Sequence, residues 1–89
     1  MPCWEIIASG RVQGVGMRWF ILESAKRHGL RGFVRNLADG NVQIIAIGEY
    51  ENVSSFAEEV RNGNSHSQIQ HLSMNELTNY TEYKDFIIA

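Results

Sequence analysis

The segment Ser9-Gly10-Arg11-Val12-Gln13-Gly14-Val15-Gly16-Met17-Arg18 places three glycines and two arginines between an apolar run and the start of a helical pattern. A loop that leaves a strand and enters a helix gathers unpaired backbone N–H groups at the positive end of the helix dipole. Glycines let such a backbone approach a ligand closely and curl into an anion-holding nest. Arg18, in the first helical turn, adds a planar fork of donors for oxygen atoms. These groups suit the gripping of a phosphate- or carboxylate-sized anion. On the loop alone, a bare turn beside a solvated arginine is an equally good account. The spacing fits neither the Walker pattern, which needs Lys-Ser or Lys-Thr after its second glycine, nor GxGxxG, so nucleotide binding by those routes is not expected.

Two elements must hold this loop. Cys3 to Ser9 is short, apolar and rich in β-formers, which predicts a first strand. From Met17, the residues Met17, Phe20, Ile21, Ser24, Ala25 and His28 recur at helical spacing, and Gly29 supplies a stop. Leu30 to Asn36 and Asn41 to Ile47 read as antiparallel strands joined by Leu37-Ala38-Asp39-Gly40, whose Asp-Gly pair tolerates the positive φ of a tight hairpin. Asn36 stands where the first of these strands meets the turn. A second helix is expected from Asn52 as N-cap, burying Val53, Phe56, Ala57 and Val60. In Gln68 to Leu77, Ile69, Leu72 and Met74 are unevenly spaced, and a β-bulge would let all three face the core. Tyr83 to Ile88 closes the chain as a last strand with Phe86 and Ile88 inward.

The order is βαββαβ, with the last strand split or preceded by an irregular edge. Two helices with one apolar face each cover one side of a sheet. The expected fold class is therefore α+β, a ferredoxin-like sandwich with an antiparallel sheet and two helices on one face. At 89 residues the chain fits one domain, residues 1–89, able to hide roughly 60 to 70 per cent of its unfolded surface.

Composition narrows the partners. The net charge is -2, with 20% charged residues and no basic run, so the footprint of nucleic-acid or anionic-membrane binding is missing. No window approaches a membrane span, and there is no repeat or low-complexity tract. Cys3 is the only cysteine and sits in an apolar run; a small core residue and a reducing, cytoplasmic setting are expected. His28, His66 and His71 show no metal-site spacing and lie in neither motif, so packing or surface roles are expected. Trp4 and Trp19 are expected as partly buried rings rather than ligand platforms.

Taken together, Gly10 to Arg18 and Gly32 to Val42 resemble the acylphosphatase family. Its Gly-Arg-Val-Gln-Gly-Val-x-Phe-Arg pattern matches everywhere except Met17, and its Gly-x-Val-x-Asn-x-x-Asp-Gly-x-Val pattern matches throughout. The resemblance spans essentially the whole chain. It implies hydrolysis of the carboxyl–phosphate bond of acyl phosphates, with no metal or organic cofactor. It assigns catalysis to Arg18 and Asn36, and phosphate binding to the backbone of Gln13, Gly14, Val15, Gly16, Met17 and Arg18. The implied partner is a small-molecule acyl phosphate handled by a monomer. Met17 stands in for an aromatic residue and is expected in the core, while Asn62 to Gln68 departs from the glycine- and proline-containing loop of relatives. Asp39 and Gly40 are expected to shape the hairpin that aims Asn36, and Arg11 to be structural.

Two rivals share the fold. Arg31-Gly32-Phe33-Val34 faintly resembles part of an RNA-recognition signature, but on the second strand rather than the third and in an acidic chain. A non-catalytic phosphate-binding or accessory domain keeps the cradle without turnover. Such domains belong to larger proteins with zinc modules, whereas this chain closes at Ala89 with one cysteine, so a free-standing enzyme is expected.

Overall fold

Alternation and burial agree along β1 (Cys3–Arg11), where Ile6 and Ala8 are fully buried on one face of the strand. The computed structural model describes residues 1–14, 16–64 and 67–89. After β1 come α1 (Met17–Arg27), β2 (Arg31–Asn36), β3 (Val42–Ile47), α2 (Tyr50–Asn62), β4 (Gln68–Leu77) and β5 (Phe86–Ile88). The strands form one five-stranded sheet in the order β4-β1-β3-β2-β5.

β1 is antiparallel to both β3 and β4, and β2 is antiparallel to β3, as the hairpin signal requires. The expected all-antiparallel sheet is corrected at one edge. There β5 pairs parallel to β2, with Phe86 opposite Gly32, which makes the sheet mixed. β4 and β5 occupy opposite edges because the chain between them crosses the sheet. On the way, Tyr80 and Tyr83 pack against a small second cluster of Cys3, Ile45 and Ile47.

The main core lies on the other face, under both helices. Ile6, Ile44 and Val34 form one row across β1, β3 and β2, and all three are fully buried. α1 buries Met17, Ile21, Leu22, Ser24 and Ala25 against it, and α2 buries Val53, Phe56, Ala57 and Val60, the stripe read from the sequence. α1 stops as expected at Gly29: the Gly29 N–H donates to Lys26 C=O and the Leu30 N–H to Ala25 C=O, the paired bonds of a Schellman motif. α2 departs from expectation at its start. It begins at Tyr50 with Glu49 as N-cap and no side-chain cap, so Asn52 lies inside the helix.

The bulge is present. Ser9 faces His71 and Gly10 faces Ile69, which leaves Gln70 as the extra residue of β4. That one-residue slip restores parity, and Ile69, Leu72 and Met74 all pack against the core. The last strand is shorter than expected. Phe86 is buried, but Ile88 remains 38% exposed, which corrects its inward assignment.

Candidate active site

β1 and β2 run in the same direction on either side of β3, and Val42 is the register partner of both Ala8 and Asn36. Topology therefore delivers the glycine loop, which follows β1, and Asn36, which ends β2, to the same end of the sheet. A cleft of about 240 Å³ opens there. Of the residues expected to bind or react, Gly14, Gly16, Met17, Arg18 and Asn36 line it. Val15 lies outside the described residues, as does His66.

Gly14 and Gly16 hold φ of 73° and 74°, the left-handed region that glycine enters without strain. A Cβ on Gly14 would meet nothing within 4 Å, so conformation, not space, calls for glycine there. Gly16 is the N-cap of α1, and the first intrahelical bond runs from Phe20 N–H to Gly16 C=O at 3.1 Å. The N–H groups of Met17, Arg18 and Trp19 consequently have no acceptor within the helix. Gly16 has no side chain to cap them and no acidic residue stands in the first turn, so this helix end is electropositive. Arg18 is exposed beside it and has no ion-pair partner among the described residues.

Gln13 does not line the cleft. Its side-chain Nε2 donates to the carbonyls of Leu37 and Asn41, each at 2.8 Å, which ties the glycine loop to the hairpin after Asn36. That hairpin closes by Leu37 N–H to Asn41 C=O at 2.8 Å and Gly40 N–H to Leu37 C=O at 3.2 Å. Gly40 alone carries the positive φ; Asp39 instead accepts from the Asn41 N–H at 2.9 Å. The hairpin is thus a three-residue turn with a glycine bulge, not a two-residue Asp-Gly turn.

Asn36 is half-buried, and its Oδ1 is buried without a hydrogen-bond partner among the described residues. Buried amide oxygens are nearly always satisfied in folded proteins, so an orphan acceptor at a cleft points to a ligand. Three residues of the cleft were not expected there: Val12, Trp19 and Ile88. Trp19 is 62% exposed, which corrects its reading as a partly buried ring. Only its place one residue after Arg18 could have signalled this.

The other candidates behave as packing groups. Cys3 is fully buried, and burial, with the Glu82 carboxylate adding to it, pushes its thiol pKa up, away from a nucleophilic thiolate. His28 lies against Glu59 and the Phe56 ring, and His71 is exposed on the edge strand β4. Met17 is 1% exposed and belongs to the core, as expected.

Glycines at a helix N-terminus, beside an exposed arginine and an amide whose oxygen is unpartnered among the described residues, make a candidate anion site on a ferredoxin-like α+β sheet. Comparison with known proteins sharpens this. The acylphosphatase family model matches residues 4–88. An acylphosphatase of Bacillus velezensis is 41% identical over 86 residues, covering 97% of this chain and 96% of its own. The crystal structure of the acylphosphatase from Bacillus subtilis superposes with a TM-score of 0.95 at 38% identity, covering 100% of this chain and 99% of that one. HypF of T. kodakarensis also matches, at 30% identity and a TM-score of 0.88, but the match takes up 12% of that protein. The chain belongs to the acylphosphatase family, and its activity is that of an acylphosphatase.

Proposed function

We propose that this cleft hydrolyses the carboxyl–phosphate bond of small acyl phosphates, with Arg18 and the backbone N–H groups of Gly14, Gly16, Met17 and Arg18 holding the phosphoryl oxygens and Asn36 orienting the attacking water. The placing of Asn36 and Arg18 on one cleft, with the Asn36 Oδ1 left without a hydrogen-bond partner among the described residues, carries this assignment. As an acceptor it takes one O–H of a water and leaves the oxygen lone pair free for phosphorus. The water oxygen bonds to phosphorus as the bond from phosphorus to the acyl oxygen breaks. The electron pair of that bond leaves with the carboxylate, and a water proton passes to a phosphoryl oxygen.

A carboxylate is a good leaving group, so positioning and charge stabilisation matter more than a strong base. The cleft is built for that demand: among its described lining residues there is one cation, one amide and no carboxylate. We infer further that residues 1–89 work as one acylphosphatase-like domain, monomeric and cytoplasmic. The single free cysteine suits a reducing compartment, and size-exclusion chromatography with light scattering tests the monomer.

The deciding experiment measures hydrolysis of an aryl acyl phosphate by wild type, Arg18→Ala and Asn36→Ala, with circular dichroism confirming that each folds. Losses of about 100- to 1000-fold, roughly 3 to 4 kcal/mol of transition-state stabilisation, are expected for each variant. Folded variants with wild-type turnover would refute the assigned roles.

A further inference from the structure

The phosphoryl grip does not read the acyl group, so selectivity must come from the rest of the cleft. Two large apolar side chains stand uncovered there: Trp19, 62% exposed, and Ile88, 38% exposed. Single apolar residues scattered on a surface are ordinary. These two border the same cleft as Arg18 and Asn36, and they arrive on the two elements that flank it, α1 and β5.

The core does not require either of them. Trp19 is off the inward stripe of Met17, Ile21, Ser24 and Ala25, and it is Phe86, not Ile88, that fills the core from β5. Both backbones are nevertheless fixed. Trp19 sits in the first turn of α1, and Ile88 pairs with Val34, whose carbonyl accepts the Ala89 N–H at 2.9 Å. An acyl phosphate is bipartite. With its phosphoryl group in the glycine nest and on Arg18, the acyl substituent is held within reach of the cleft wall. A substituent bearing a carboxylate would need a second cation there, and one bearing an ammonium group would need a carboxylate. Neither is present among the described lining residues.

We propose that Trp19 and Ile88 form the acyl-recognition wall of this site and select acyl phosphates whose acyl group is neutral and apolar, aromatic ones above all. The proposal rests on the reading of the same cleft as the phosphoryl site. The indole offers a flat face for stacking on an aryl group, and Ile88 offers an aliphatic counter-surface. An acetyl group is too short to use more than a fraction of either.

The test compares kcat/KM for benzoyl phosphate and acetyl phosphate in wild type, Trp19→Ala, Trp19→Phe and Ile88→Ser. Ratios of variant to wild type are used, so that the intrinsic reactivities of the two mixed anhydrides cancel. Because the Trp19 side chain is no part of the proposed cradle, inhibition by inorganic phosphate reports the cradle separately. Trp19→Ala is expected to lose about 10-fold with benzoyl phosphate, mainly through KM, and about 2-fold with acetyl phosphate. Trp19→Phe should recover most of the benzoyl loss, and Ile88→Ser should show a smaller loss of the same selectivity. Equal losses on both substrates, or none on either, overturn the wall while leaving the phosphoryl site standing. A wild type inactive on both substrates overturns the phosphoryl-site reading and the wall with it.

Discussion

Gln13 illustrates how a residue outside the cleft can govern the geometry within it. Both N–H donors of its amide are used on the hairpin carbonyls of Leu37 and Asn41, which ties the glycine loop to the turn that follows Asn36. Gln13→Ala removes that tie. The fold should lose about 1–2 kcal/mol in urea denaturation, because the two carbonyls keep the hairpin's own donors. Turnover should suffer more, since a displacement of about 1 Å between cradle and water-holding amide costs up to 100-fold. Gln13→Glu is expected to be worse than alanine in kcat, a carboxylate being set against two carbonyl oxygens. That Arg18 and Asn36 share one cleft was legible in the sequence because each sits in a spaced motif. The Gln13 tie was not, because its acceptors are 24 and 28 residues away and no local pattern announces them.

Between elements, α1 and α2 are clamped through one carboxylate. Glu59 on α2 accepts from the buried Ser24 hydroxyl and from Arg27 at 3.0 Å, with His28 Nε2 at 3.3 Å. The Arg27 hydrogen bond first, then that of Ser24, brings the Glu59 carboxyl down from 4.5 to about 2. A carboxyl lowered in the folded state stabilises fully above its unfolded value and loses that contribution as pH falls through the folded one. Between pH 4.5 and about 2 the wild type should therefore lose more melting temperature than Glu59→Gln. Solvent screens a carboxylate that remains over a third exposed, so the difference should be modest, about 2–4 °C, and should shrink at high salt. A Glu59→Gln variant whose melting temperature falls as steeply as wild type would remove Glu59 from the account. The apolar stripes of both helices were readable because burial imposes a 3.6-residue period, and the β4 bulge because it must restore a period of two. The start of α2 was misplaced because Tyr50 and Glu51 give no capping signal while Asn52 does. The parallel pairing of β5 was hidden because three residues carry too little pattern, and the path over Cys3, Ile45 and Ile47 sets their partner.

For the molecule as a whole, β1, α1 and β2 carry the proposed phosphate cradle and Asn36, while β5 carries one side of the proposed acyl wall and part of the core. Phe86 is 3% exposed, with its ring centroid 6.3 Å from that of Phe56. Truncating a buried phenylalanine costs about 3–5 kcal/mol. Against the roughly 4–13 kcal/mol expected of a chain this long, Phe86→Ala should sharply lower the urea midpoint with little change in slope. The two halves of the site should then separate. Loosened β5 displaces Ile88, so benzoyl phosphate turnover should fall relative to acetyl phosphate turnover in the folded variant. Phosphate binding should persist, because none of its groups lies on β5. Inorganic phosphate at about 100 times its Kd should add about 2.7 kcal/mol to wild type and Phe86→Ala alike, and much less to Arg18→Ala at that same concentration. Equal phosphate stabilisation with and without Arg18 would place the anion elsewhere. A gain lost in Phe86→Ala would instead show that the cradle depends on the packing of the edge strand.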